Sequence, residues 1–246
     1  MIPLFALAAA AAEPDLTICA DRPSEANGVC TVPVGHWQLE ASAIDWTHSP
    51  GTDVTSTGQT LVKLGLGGSS DVEVGWTPYI SVHQPGPDAS GVGDMVVRYK
   101  RRLTDPGAKF QAAIIPFAKV PTADHSIGNG KVEGGLAVPL SAPVGPVTAT
   151  LGPEVDLLAD SDGHGYHVAV TNLVNLGWSA TSRFTLSAEL WNNMNFDPAG
   201  TVRQWSADAS AAYLVSKRMQ LDAGANFGLN KQTPDVELYG GISVLF

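Results

Sequence analysis

From Gly35 to Phe246 apolar and polar residues alternate with a period of two, in runs separated by turn-forming stretches. In Asp71-Val72-Glu73-Val74-Gly75-Trp76-Thr77, Val72, Val74 and Trp76 fall on one side and Asp71, Glu73, Gly75 and Thr77 on the other. Residues 204–211 and 220–227 alternate in the same way. The last run, 236–246, sets Val236, Leu238, Gly240, Ile242, Val244 and Phe246 against Glu237, Tyr239, Gly241 and Ser243. Successive Cβ atoms of a strand point to opposite faces, so each run has one apolar face and one small or polar face. The pattern predicts twelve strands, at 35–47, 57–66, 71–80, 94–103, 109–120, 130–140, 147–158, 166–178, 184–195, 204–215, 219–229 and 236–246.

The links alternate in length. Those at 67–70, 104–108, 141–146, 179–183 and 216–218 are short and rich in Gly, Pro, Ser and Asp, the residues that turns favour. Those at 48–56, 81–93, 121–129, 159–165, 196–203 and 230–235 are mostly longer and polar. A soluble β-sandwich has no need of such alternation; a soluble lipocalin-like barrel is the other closed arrangement that could end on residues 236–246. Short turns at one mouth and longer links at the other characterise an all-β, transmembrane, antiparallel up-and-down barrel of about twelve strands. With an even strand count both termini are then expected on the periplasmic side. Aromatic positions agree: Trp37, Tyr99, Phe110, Trp178, Phe184, Tyr213 and Phe246 fall at one end of their strands, and Trp46, Tyr79, Tyr166, Phe196 and Trp205 toward the other. Two belts of amphipathic rings are expected where a barrel meets the two lipid–water interfaces.

Composition narrows the reading further. Charged residues make up 15% of the 246-residue chain and hydrophobic ones 44%, with 26 Gly and 17 Pro. No apolar run approaches the roughly 20 residues of a membrane helix, so low charge points to strands facing lipid. The net charge of −10 argues against nucleic acid as a partner, since phosphate binding needs a basic surface. Residues 1–12 are apolar and end in an Ala run, which resembles a secretory signal segment. Residues 13–34 precede the alternation and form an expected N-terminal periplasmic arm, with the barrel over 35–246. Cys19 and Cys30, the two cysteines of the chain, are expected to bridge in an exported protein and to hold that arm at or just inside the lower mouth.

Read by parity, the lumen face collects Lys63, Arg98, Lys100, Arg102, Lys119 and Lys131, with Glu40, Asp71, Glu73, Glu133, Glu154, Asp156, Glu189, Asp208, Asp222 and Glu237 as acidic partners. A lipid-facing charge would cost about 2–4 kcal/mol at the midplane, which supports the assignment. Two readings stay open: ion pairs that fill and close a narrow barrel, or a pore with a basic wall opposite an acidic one that orients a polar solute. Arg98, Lys100, Glu73 and Glu133 are the first choices for a constriction. His164 and His167 with Asp160 could sit in a metal-binding loop, but a solvated loop is the plainer reading. No spacing of Ser, His or carboxylate marks an enzyme, and no cofactor is expected.

The chain resembles a family of bacterial outer-membrane barrels labelled as transporters or "MetA-pathway of phenol degradation" proteins. The resemblance rests on Asp21-Arg22-Pro23 followed by Thr31-Val32-Pro33-Val34-Gly35-His36-Trp37-Gln38-Leu39-Glu40, then Gly93-Asp94 and Lys119-Val120-Pro121-Thr122, in that order. It departs from the family pattern at Arg98-Tyr99-Lys100-Arg101-Arg102, which is unusually basic, and at Ala123, where Gly is frequent. The resemblance implies a barrel of about twelve strands that passes small, including aromatic, compounds, with outer-membrane lipid and such solutes as partners. The terminal strand ending in Phe246 is the expected recognition element for barrel-assembly machinery.

Overall fold

A computed structural model describes residues 16–246; the signal-like segment expected over 1–12 lies outside them. Twelve antiparallel strands close into a barrel. They are β1 (Trp37–Ser49), β2 (Thr52–Thr57 and Thr60–Gly67), β3 (Ser70–Trp76 and Tyr79–His83), β4 (Ala89–Gly91 and Met95–Arg102), β5 (Gln111–Val120) and β6 (Glu133–Ala137 and Leu140–Val144). The remaining six are β7 (Val147–Leu151 and Glu154–Ala159), β8 (Tyr166–Ser179), β9 (Phe184–Asn195), β10 (Val202–Ser216), β11 (Met219–Gly228) and β12 (Val236–Leu245). Each pairs with its neighbours in sequence, and β12 returns to β1 with Gln38 opposite Leu245 and His48 opposite Val236. Closure leaves no strand edge with unpaired backbone groups, which an apolar solvent could not satisfy.

Burial is inverted relative to a water-soluble fold. Lys63, Asp71, Glu73, Lys100 and Gln38 are fully buried, while Leu157, Val168, Leu176, Leu190 and Leu238 lie exposed on the outer wall. Trp37, Tyr99, Phe110, Trp178, Tyr213 and Phe246 are exposed at the end of the short turns, and Tyr79, Tyr166, Phe196 and Trp205 at the other. The two belts stand where the sequence places them.

Two expected long links are partly strand. The run read as a loop over 48–56 is a hairpin whose turn is 50–51, and 81–93 holds the end of β3 and the start of β4. Thr52-Asp53-Val54-Thr55-Ser56-Thr57 is polar and so looked like a link, but Thr and Val are β-branched and suit a pleated ribbon. A bulge between Ser42 and Ile44 also shifts the parity of β1. Ile44 points outward, and Asp45 stands opposite Tyr239 on the inner face, a position that strict alternation from Glu40 assigns to lipid.

The two sides of the barrel differ in regularity. Strands β8 to β12 run unbroken, whereas β2, β3, β4, β6 and β7 are interrupted at 58–59, 77–78, 92–94, 138–139 and 152–153. Pro78, Pro139 and Pro153 stand at three of these breaks and have no N–H to give a ladder. Single bonds carry the pairing across: Gly93 N donates to Thr77 O (2.8 Å) and Val138 N to Pro153 O (2.9 Å). The breaks of β2, β3 and β4 stand opposite one another, as do those of β6 and β7, with the unbroken β5 between the two sets.

Leu190 sits mid-strand on the apolar face. Leu190→Arg is expected to cost about 2–4 kcal/mol of folding free energy in phospholipid vesicles, read by urea titration. Leu190→Val should stay within about 1.5 kcal/mol, and equal effects of the two would refute the assignment of that face to lipid.

Candidate functional site

The lumen is occupied by the arm. Residues 16–34 enter at the short-turn mouth, where Ile18 N donates to Lys217 O (2.8 Å). They rise along the inner wall, turn back near Ser24–Asn27 and return beside β2. Cys19 and Cys30 are bridged, with Cα atoms 5.8 Å apart, and tie the rising limb to the returning one. The expected staple is therefore present, but the arm reaches well past the lower mouth. Its tip meets mid-barrel groups: Ala26 N donates to Glu189 Oε2 (3.2 Å), and Asn226 Nδ2 to Glu25 Oε1 (3.2 Å). Leu16 and Val32 pack on Leu245 at the entrance, which explains an apolar residue on the inner face of β12. The return limb lies so close to β2 that a Cβ on Gly65 would come 2.1 Å from Pro33 O; only glycine fits there.

Cross-strand register assembles the groups that hold the arm. Gln38 stands opposite Lys63, Lys63 opposite Glu73, Glu73 opposite Arg98, and Asp71 opposite Lys100. Directly opposed residues on one face are close enough to interact. Asp21 of the arm drops between the two ammonium groups, with Lys63 Nζ 2.6 Å from Oδ2 and Lys100 Nζ 2.7 Å from Oδ1. Lys63 also pairs with Glu40, Lys100 with Glu73 at 3.3 Å and Arg98 with Glu73 at 3.6 Å. Three cations thus face three carboxylates. Burial alone would raise the Asp21 carboxyl, but Lys100 and Lys63 override it and hold it far below the usual carboxylate range. Arg22 Nη2 donates to Asp222 Oδ1 (2.7 Å) and Nη1 to Ser42 Oγ (2.5 Å). Arg98 Nη2 donates to Asn27 Oδ1 (2.5 Å), and Val32 N to Asp71 Oδ2 (2.8 Å).

The residues proposed for a constriction therefore separate. Glu73 and Lys100 are fully buried beneath the arm and line no open space. Arg98 reaches the larger cavity. Glu133 belongs to another group near the far mouth, where Lys119 Nζ lies 2.8 Å from Glu133 and 3.0 Å from Asp94. Lys131 stands outside the strands, in the link 121–132, and donates to Gly163 O (3.1 Å). His167 Nδ1 lies 2.8 Å from Asp160 Oδ1 on the inner wall, while the backbone of His164 bonds to Asp162. Among the described residues no three ligating side chains are grouped as a metal ion requires.

Above the arm two cavities remain, of about 540 Å³ and 330 Å³. The larger is bordered by the strand breaks at Gln59, Thr77, Asp94, Pro139 and Gly152, and carries Glu154, Phe117 and Leu173 on its wall. The smaller is lined by Asn226, Ser206, Thr47 and Glu237, and Glu25 and Trp191 border both. Parity could have found Phe117 and Trp191 as inward residues; Asp21, Arg22 and Glu25 carry no periodic signal.

A family model described as "Putative MetA-pathway of phenol degradation" matches residues 20–246. No curated protein sequence matches the chain. Among solved structures, an outer membrane channel from Pseudomonas putida F1 is similar with a TM-score of 0.67 at 14% identity, over 91% of this chain and 99% of that one. The NanC porin is similar with a TM-score of 0.58 at 9% identity, covering 85% and 98%. The translocator domain of an autotransporter, NalP, from Neisseria meningitidis gives 0.52 at 12% identity, covering 87% and 89%. At these identities the likeness shows a shared barrel fold.

Asp21→Asn is expected to weaken arm docking by about 3–5 kcal/mol, the usual cost of breaking a buried ion pair. Subtilisin should then cut within 16–34 while the barrel stays intact. Acid should act in the same direction. Because the docked carboxyl titrates below its free value of about 3.9, its contribution is complete above that pH and is lost as pH falls beneath it. Pepsin cleavage within 16–34 that rises no more between about pH 5 and pH 2 in the wild type than in Asp21→Asn would refute this role for Asp21.

Proposed function

The chain belongs to the family described as "Putative MetA-pathway of phenol degradation", and from that membership and the lumen geometry we propose that it is an outer-membrane channel for diffusion of small solutes. The observation that carries this reading is the space above the arm. Two cavities with mixed polar and aromatic walls follow the lumen from the long-link mouth down to the arm tip. Their walls suit small polar or aromatic compounds, because a few fixed polar groups among apolar surface orient such solutes. The similar channel and porin folds support the same function.

In this reading the arm sits at the periplasmic mouth with both termini, and the oxidising periplasm maintains its bridge. Fixed charges and shape act on the solute without bond-making chemistry, so the protein works as a channel and not as an enzyme. The exposed apolar wall meets outer-membrane lipid, and the strand ending in Phe246 is the element that assembly machinery would engage.

The buried ion cluster favours a second reading, in which the arm closes the barrel and the protein is a structural or interaction partner in the membrane. Planar bilayers separate the two. Wild-type protein is expected to give small discrete conductance steps, and the double variant Asp21→Asn, Arg22→Ala steps several-fold larger as the arm loosens. Silence from both proteins, with folded barrels confirmed by heat-modifiable mobility on gels, would leave only the structural reading.

A further inference from the structure

One inward row on the unbroken side of the barrel is charged in a way that the arm does not relieve. Asn175 stands opposite Glu189, Glu189 opposite Asp208, Asp208 opposite Asn226, Asn226 opposite Glu237, and Glu237 opposite Thr47. Two acids directly opposed on neighbouring strands repel, and Glu189 and Asp208 are such a pair. Glu25 of the arm adds another carboxylate, bonded through Asn226 Nδ2. Asn226 Nδ2 also donates to Glu237 Oε2 (3.0 Å), which fixes the amide and leaves its carbonyl for a donor from elsewhere.

Among the described residues no Lys or Arg lies within ion-pair distance of Glu25, Glu189, Asp208 or Glu237. Arg22, the arm's cation, is committed to Asp222. Lys63, Lys100 and Arg98 are balanced by Asp21, Glu40 and Glu73. Among the described residues the buried atoms Glu189 Oε1 and Asn226 Oδ1 have no hydrogen-bond partner, in residues only 6% and 8% exposed. Asn226, Glu25 and Glu237 line the smaller cavity, and Trp191 supplies an aromatic wall. Unsatisfied buried acceptors beside uncompensated carboxylates are costly unless a cationic donor fills the space.

We propose that this row binds organic ammonium ions, and linear diamines best of all. A bare metal ion is a poor fit, since no three ligating side chains among the described residues are grouped to hold one. An ammonium group brings the donors that the carboxylates and the Asn226 carbonyl lack, and Trp191 offers a cation–π face. Glu189 and Asp208 stand one strand spacing apart, roughly 5 Å, and Glu25 enters beside Asn226, so two ammonium groups on one short alkyl chain can each meet a carboxylate. As a statement about transported solutes this rests on the channel reading; as a binding site it does not.

The test is calorimetric titration of the detergent-solubilised full chain with 1,4-diaminobutane, 1,4-butanediol and succinate. The diamine is expected to bind saturably while the diol and the dicarboxylate do not. Glu189→Gln with Asp208→Asn should weaken diamine binding at least about tenfold. Should that barrel fail to fold, Glu25→Gln on the arm should weaken binding in the same direction without altering a strand. Succinate or diol binding as tightly as diamine, or diamine affinity unchanged in these variants, would overturn the proposal. Diamine binding by a protein that conducts no current would remove the channel and keep the site. Conductance without diamine binding would do the reverse.

Discussion

The pairing of β12 with β1 is the constraint from which the rest of the molecule follows. Backbone groups facing an apolar solvent need partners within the chain, and this pairing supplies the last of them. Closure divides every strand into an outer face that must be apolar and an inner face free to be polar. That division is why Lys63, Glu73 and Lys100 can be fully buried and still lie within reach of one another. The charged interior is thus a by-product of a fold whose apolar surface is spent on its surroundings.

The arm then decides how that interior behaves. A barrel with Lys63, Lys100 and Arg98 on one side and Glu189, Asp208 and Glu237 on the other would carry a transverse field. Glu40 and Glu73 of the wall and Asp21 of the arm together cancel the basic part of it, while the tip brings Glu25 to the acidic part. The sequence reading of two opposed charged walls is therefore half realised: the basic wall is neutralised and covered, and the acidic wall remains. The obstructed short-turn mouth and the open upper lumen follow from the same few side chains.

Period-two alternation located all twelve strands, because lipid enforces it at every outward position. It failed where the backbone departs from the ideal pleat. The bulge after Ser42 hid Asp45, and the Thr-rich start of β2 passed for a loop because polarity there reflects water above the membrane band. The constriction residues were misgrouped for a different reason. Parity says which face a side chain occupies, but Glu133 and Glu73 are separated by height, which depends on strand stagger. The arm was the least legible part. Asp21, Arg22 and Glu25 lie in a segment with no repeat, and their role depends on partners brought in by the closed barrel.

Those partners impose an order on biogenesis. Arg22 reaches Asp222 on β11, Asp21 reaches β2 and β4, and Ala26 reaches β9. These strands surround one space only after β12 has met β1. The arm's full set of contacts is therefore completed late, although its residues leave the ribosome before any strand. The Cys19–Cys30 loop spans 11 positions and needs no barrel to form. A pre-tied loop has only to settle into a finished cylinder, so a segment synthesised before every strand becomes the last to find its place.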